Sequence, residues 1–263
     1  MREPVLLEAD GITVRYDGMA RPALQEVRVA VRAGVPLGVV GESGSGKSTL
    51  IRTLLGLERP VSGRVLYRGT DVAALRGDAL RTFRRKVQMV FQDPYNSLNP
   101  RMTVGQTLGE VLTVHRLAAR GSVLRVAGEL LGQVGLDPSL AARYPHELSG
   151  GQRQRIGIAR AISLEPEVLL ADEPVSALDV SVQAQVLGLL DRLGRERGIT
   201  LVLIAHDLAV VAAVCREMVV MEQGRVVEAG LARSVIEQPS HPYTRQLIAA
   251  VPQIEPLMPP APL

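Results

Sequence analysis

Hydrophobic and polar positions alternate at the start of the chain. Ile12, Val14 and Tyr16 fall on one side and Thr13 and Arg15 on the other, while Val27, Val29 and Val31 alternate with Arg28, Ala30 and Arg32. A period of two predicts half-exposed strands, here an antiparallel pair bounded by turn signals at Asp17-Gly18 and Ala33-Gly34. Arg64-Val65-Leu66-Tyr67 predicts another strand between Gly63 and Gly69, and Val87, Met89 and Phe91 alternate into Gln92. Three further runs are apolar throughout: Leu37-Gly38-Val39-Val40, Val168-Leu169-Leu170-Ala171, and the six residues from Thr200 to Ala205. Such runs suit strands covered on both faces.

Elsewhere the period lengthens to that of a helix. Leu50, Ile51, Leu54 and Leu55 recur until Gly56, and Leu108, Val111 and Leu112 follow capping-box spacing at Thr103–Gln106. Val123, Val126, Leu130, Leu131 and Val134 end at Gly135, and Val182, Val186, Leu189, Leu190 and Leu193 end at Gly198. From Asp93 to Pro100 the chain is dense in turn formers, so residues 93–147 read as a helical insertion in an α/β core. Met218–Met221, a turn at Glu222-Gln223-Gly224 and Arg225-Val226-Val227 predict a hairpin. His241-Pro242-Tyr243-Thr244-Arg245 and a proline-rich tail follow.

One glycine-rich stretch turns this outline into chemistry. Gly41-Glu42-Ser43-Gly44-Ser45-Gly46-Lys47-Ser48-Thr49 fits the phosphate-loop pattern G-x-x-x-x-G-K-[ST] without a mismatch, and it sits between a strand and a helix. Glycines let consecutive backbone N–H groups turn inward around phosphate oxygens, and the helix start adds its partial positive charge. Lys47 is placed to reach the outer phosphates and the Ser48 hydroxyl to hold Mg²⁺.

Two other apolar strands end in capable residues: Asp172-Glu173 after the first and His206-Asp207 after the second. In an open α/β sheet ligands sit beyond the carboxyl ends of strands, so these ends should share one crevice. Asp172 suits the second metal-side acid, directly or through water. Successive residues of an extended chain face opposite ways, which leaves Glu173 free to orient or deprotonate a water. Gln92, at another strand end, suits water or metal, and His206 the γ-phosphate. His115, His146 and His241 have no evident partners.

Composition narrows the classes. At 263 residues, 46% hydrophobic and 22% charged, the chain can bury a real core, and no apolar run nears the roughly 18 residues of a membrane helix. Acids at Glu3, Glu8 and Asp10 do not suit a signal peptide, which predicts a cytoplasmic protein meeting membranes through a partner. A net charge of +3 with 3% aromatics and no Trp argues against nucleic acid. The clusters Arg81/Arg84/Arg85/Lys86 and Arg192/Arg195/Arg197 read as solvated faces of helices or strands. Cys215 stands alone, so an internal disulfide and a cysteine-ligated cluster are excluded, and a buried inert thiol is expected.

Leu148-Ser149-Gly150-Gly151-Gln152 opens a predicted helix, where exposed N–H groups can grip an anion. A second phosphate grip is redundant in a chain with a complete loop, so it should serve a nucleotide held by another copy or a related chain. At this stretch the sequence resembles the ATP-binding-cassette (ABC) ATPases, whose signature it matches, and the likeness covers nearly the whole chain. The resemblance implies an α/β fold: a P-loop NTPase (RecA-like) core with an antiparallel β subdomain and a helical insertion carrying the signature. It places Tyr16 on adenine, makes Gln92 the Q-loop glutamine, and makes Asp172 and Glu173 the Walker B acid and catalytic base. Ser176-Ala177-Leu178-Asp179 becomes the D-loop and His206 the switch histidine. Cassettes of this family are head-to-tail dimers, so Ser149, Gly150, Gly151, Gln152 and Asp179 would meet the facing subunit's ATP.

Phe91–Pro100, Ala177–Gln185 and His241–Arg245 look like the ATPase subunits of oligopeptide, dipeptide and nickel importers. That likeness implies ATP and Mg²⁺ as cofactors, a second cassette, two membrane-spanning permease subunits and an extracytoplasmic solute-binding protein. It also implies a peripheral place on the cytoplasmic face of the membrane. The expected divisions are 1–92, 93–147, 148–235 and a C-terminal extension over 236–263. Some such importers carry C-terminal cysteines for an iron–sulfur cluster, which Cys215 alone cannot ligate. Two other readings compete: a cassette of a soluble phosphonate-cleaving complex, and a DNA-associated cassette, which would need coiled-coil arms that no heptads here predict.

Overall fold

A computed structural model of the chain describes residues 3–93, 98–176 and 178–250. The turn-forming residues 94–97, Ala177 of the expected D-loop and the proline-rich tail lie outside the described residues.

The alternating start folds as predicted, with β1 (Val5–Val14) and β2 (Leu24–Arg32) paired antiparallel. A register shift between Ala9 and Ile12 puts Ile12 and Val14 into the core, and Tyr16 lies just past the strand's end. β3 (Leu37–Val40) runs into the glycine loop and α1 (Lys47–Leu54), after which β4 (Ser62–Tyr67) and β5 (Thr70–Asp71) return beside β1. The first arginine cluster is a helix, α2 (Gly77–Lys86), held down by the one buried side chain of Phe83, whose ring meets Tyr67 edge-on at 5.3 Å. A single apolar anchor leaves no periodicity, so the sequence pattern could not declare this helix.

β6 (Val87–Val90) departs from the expected alternation of positions 87, 89 and 91. Val90 is buried along with Val87, Met89 is half-buried, and Phe91 has left the strand and is 46% exposed. The helical stretch holds α3 (Val104–Val114), with the predicted Thr103/Gln106 capping box formed, and α4 (Val123–Gln133). α5 (Gly150–Ile162) precedes β7 (Val168–Asp172), then α6 (Val180–Arg197), whose Arg192, Arg195 and Arg197 are solvated as expected. β8 (Thr200–Ala205), α7 (Leu208–Val214), the hairpin β9 (Glu217–Glu222) and β10 (Arg225–Leu231), α8 (Ala232–Glu237) and α9 (Pro242–Ala250) complete the described fold.

The strands form a four-stranded sheet, β2-β1-β4-β5, and a six-stranded sheet, β10-β9-β3-β8-β7-β6. In the larger sheet every pairing is parallel except β10 on β9, and β3 lies centrally. Its apolar runs divide between two cores. Val39, Leu170, Val202 and Ile204 face the antiparallel sheet and α1, whereas Val40, Leu169, Ala171, Leu201 and Leu203 face the helices α3 to α7. Coverage on both faces is why these strands carry no polar alternation. Among the described residues no helix is long and apolar enough to cross a membrane.

Cys215 is buried, and desolvation pushes its thiol up to about 12, which keeps it protonated and inert. Two histidines do have partners, contrary to the sequence reading. His146 stacks on Tyr144 at 5.7 Å, and His241 Nδ1 accepts the Tyr243 N–H at 3.3 Å.

Candidate functional site

Sheet register brings the chemistry together. Val40 lies opposite Ala205, Asp172 opposite Ile204, and Val90 opposite Ala171, so four neighbouring parallel strands end at one edge. Beyond that edge follow Gly41, Glu173, His206 and Gln92, which is the convergence the strand-end argument requires.

The glycine loop is held in a form that only its own residues permit. Gly41 has φ 151°, and a Cβ there would lie 2.2 Å from the Met221 carbonyl oxygen. Gly46, at the helix N-cap, has φ 104°, and its Cβ would lie 2.7 Å from the Ala23 carbonyl oxygen. Lys47 Nζ donates to the Gly41 and Glu42 carbonyls at 2.6 and 2.8 Å and lies 3.5 Å from Ser45 Oγ. Burial lowers the Lys47 pKa, and the carboxylates of Glu173, Asp172 and Glu42 pull it back up. The ammonium is thus stored inside the loop, ready to exchange carbonyl partners for phosphate oxygens.

Glu173 faces the same space for a reason other than strand alternation. The strand ends at Asp172, and Glu173 adopts φ 43°, a left-handed conformation costly for a residue with a Cβ. Its N–H donates to the Ile204 carbonyl at 3.1 Å, and its own carbonyl accepts from Ser176 N–H and Oγ at 3.2 and 3.1 Å. Gln92 Nε2 donates to Glu173 Oε2 at 2.8 Å, and His206 Nδ1 stands 3.9 Å from the same oxygen.

Asp172 is buried, and desolvation pushes its carboxyl above the ordinary range, with the neighbouring Glu173 adding to the rise. The Ser48 hydroxyl, Lys47 and Arg52 draw it back. Asp172 Oδ1 is buried without a hydrogen-bond partner, and Ser48, Gln92 and Asp172 line one hollow of about 580 Å³. An orphaned carboxylate oxygen beside a hydroxyl and an amide oxygen is an all-oxygen donor set that fits Mg²⁺, whose remaining ligands are usually phosphate oxygens and water.

A groove of about 630 Å³ runs past these groups, lined by Tyr16, Ser43, Gly44, Gly46, Lys47, Ser48, Thr49, Gln92, Glu173 and His206. Gly41, Glu42 and Ser45 form the back of the loop and do not line it. Met19, Arg21, Pro22, Ala23, Gln223 and Gly224 also line the groove and escaped the sequence reading. Gln223-Gly224 was legible only as a hairpin turn, and the stretch after Tyr16 only as a loop.

Ser149, Gly150, Gly151, Gln152 and Asp179 line no part of this groove. Ser149 caps α5 in a reciprocal box: its Oγ accepts the Gln152 N–H at 3.3 Å, and Gln152 Oε1 accepts the Ser149 N–H at 2.9 Å. Asp179 caps α6, accepting from Ser181 Oγ at 2.7 Å and the Val182 N–H at 3.0 Å, and these bonds lower its pKa. The glycine loop and the start of α5 therefore do not share this groove.

Known proteins match this arrangement. The sequence profile of the family described as "ABC transporter" matches residues 24–176, and that of "Oligopeptide/dipeptide transporter, C-terminal region" matches residues 227–260. The "Probable peptide ABC transporter ATP-binding protein y4tS" of Sinorhizobium fredii is 53% identical over 89% of this chain and 66% of its own length. The "Putative oligopeptide transport ATP-binding protein YkfD" of Bacillus subtilis is 49% identical over 97% of this chain and 79% of its own. Among solved structures, cbiO1 of Clostridium perfringens, part of the complex cbiONQ, superposes with a TM-score of 0.79 at 28% identity, covering 90% of this chain and 92% of that one. The dimeric post-hydrolysis state of the ATP-binding cassette MJ0796, bound to ADP and Pi, gives 0.77 at 30% identity, covering 87% and 99%.

Proposed function

The chain belongs to the ABC transporter family of ATP-binding cassettes, and from that premise we propose that it is the ATP-hydrolysing subunit of a peptide importer. The observation that carries the chemistry is the meeting of Lys47, Gln92, Glu173 and His206 around one groove at the ends of neighbouring strands. The peptide cargo is supported by the names of the relatives and by the C-terminal match.

In this reading adenine stacks on Tyr16, and the N–H groups of residues 43–49 with Lys47 hold the phosphates. Ser48, Asp172 and Gln92 would hold Mg²⁺, which would supply neutralisation of the charge on the transferring phosphoryl group. Glu173 Oε2 takes a proton from a water that attacks the γ-phosphorus in line. The new O–P bond forms as the bond to the ADP oxygen breaks, leaving ADP and inorganic phosphate. Gln92, already bonded to Glu173, keeps that carboxylate aimed, and His206 contacts the γ-phosphate. A positioned general base contributes about 10²–10⁴-fold.

The site is completed in trans. Ser149–Gln152 and Asp179 of a facing cassette close over the γ-phosphate, so ATP binding shuts the dimer and hydrolysis reopens it. The dimeric MJ0796 structure supports this. The motion passes to two membrane-spanning permease subunits, fed by an extracytoplasmic solute-binding protein. The chain itself sits peripherally on the cytoplasmic face, without a role for nucleic acid. Purification from native membranes tests this: permease subunits should follow the chain, and peptide should raise its ATPase rate. Recovery with soluble enzymes alone would overturn it.

A further inference from the structure

The stretch Ser240-His241-Pro242-Tyr243 sits against the back of the phosphate loop, a use that its sequence does not announce. The Tyr243 hydroxyl accepts the Glu42 backbone N–H at 3.0 Å, across 201 residues of chain, and the Tyr243 ring is only 8% exposed. Each neighbouring residue helps to aim that ring. His241 Nδ1 accepts the Tyr243 N–H and so caps α9, while Pro242 occupies the first helical position, where a fixed φ and a missing N–H are no handicap. Glu228 on β10 anchors the approach: its carboxylate accepts Ser240 N–H at 2.8 Å, Ser240 Oγ at 2.7 Å and His241 N–H at 3.0 Å.

The same β-hairpin grips the loop from its other end. Gly224, in the turn before β10, donates its N–H to the Ser45 carbonyl at 3.0 Å. The Gly41 carbonyl, by contrast, accepts from the Lys47 ammonium, and the Glu42 carbonyl accepts from Lys47 and from the Ser45 N–H at 3.2 Å. When Lys47 turns to phosphate its two bonds are released, and the turn closed by Ser45 on Glu42, with the bonds to Gly224 and Tyr243, remains to keep the loop's shape.

We propose that Tyr243 is a positioning residue for ATP binding, fixing the back of the phosphate loop through the Glu42 N–H so that the front stays ordered when Lys47 moves to phosphate. This rests on the reading of the loop as an ATP site.

The test is Tyr243→Phe in the full chain, which keeps the ring and its packing and removes only the acceptor. A fluorescent ATP analogue should bind about three- to ten-fold more weakly, the worth of one neutral hydrogen bond. The loss should fall on KM for ATP more than on kcat, and amide exchange at Glu42 should accelerate. Glu228→Gln, which loosens the anchor, should weaken binding in the same direction, and the two changes together should be less than additive. Affinity within about two-fold of wild type, or unchanged exchange at Glu42, would overturn the proposal. If the wild-type chain itself bound no ATP, the parent reading would fall instead.

Discussion

Glu173 and Gly41 show how much of this site depends on unusual backbone. At Glu173 the side chain does face the groove, but by a route other than the one the sequence argument expects. Strand alternation was to turn it away from Asp172, but the strand stops and a left-handed residue does the turning. The positive φ at Glu173 goes with one tertiary bond, to the Ile204 carbonyl, and with a local turn closed by Ser176, and the tertiary half cannot be read from neighbouring residue types. Gly41 was legible from the motif alone, but its packing was not. Gly41→Ala places a methyl against the Met221 carbonyl, a backbone atom that cannot step aside. We expect a loss of at least about 1–3 kcal/mol from strain alone, and a lower affinity for ATP. Thermal melting with and without nucleotide checks this, and an unchanged melting curve would mean that the loop relaxes more freely than its packing implies.

At the scale of elements, capping and periodicity carried most of the prediction. The capping box of α3, the apolar strands β7 and β8 and the glycine stops after α1, α4 and α6 all followed from local rules. α2 escaped because one phenylalanine anchors it, and β6 broke its alternation where it lies at the sheet's edge. The anchoring of α9 makes a pH prediction. Burial would raise the Glu228 pKa, but the Ser240 and His241 donors outweigh it and hold the carboxyl at about 2. A depressed carboxyl adds stability above the ordinary glutamate range and loses it as pH falls toward the folded value. The melting-temperature gap between wild type and Glu228→Gln should therefore be widest near neutrality and close between about pH 5 and about pH 2. A gap that widens in acid would contradict the anchor.

For the whole molecule, topology decides which residues meet. Parallel strands ending at one edge gather Gln92, Glu173 and His206 around the loop, and this was legible because each strand end carried a chemically capable residue. The union of Tyr243 with Glu42 was not, since nothing local marks a contact across 201 residues. The absence of Ser149 from the groove's lining makes the prediction at this scale. Ser149→Arg removes a helix cap, worth about 1 kcal/mol of stability. It should leave ATP binding to the separated chain within about two-fold of wild type while stopping hydrolysis in the dimer. Weaker binding by the separated chain would place the signature in the same subunit's site.

The central claim is that this loop binds ATP and that Glu173 supplies the base for its hydrolysis. The most direct measurement is the identity of the nucleotide retained by Glu173→Gln after incubation with magnesium and ATP, beside the wild type. The account predicts uncleaved ATP on the variant, in a stable dimer, with turnover down by about 10²-fold or more, and ADP on the wild type. Hydrolysis by the variant at the wild-type rate, or no bound nucleotide at all, would contradict it.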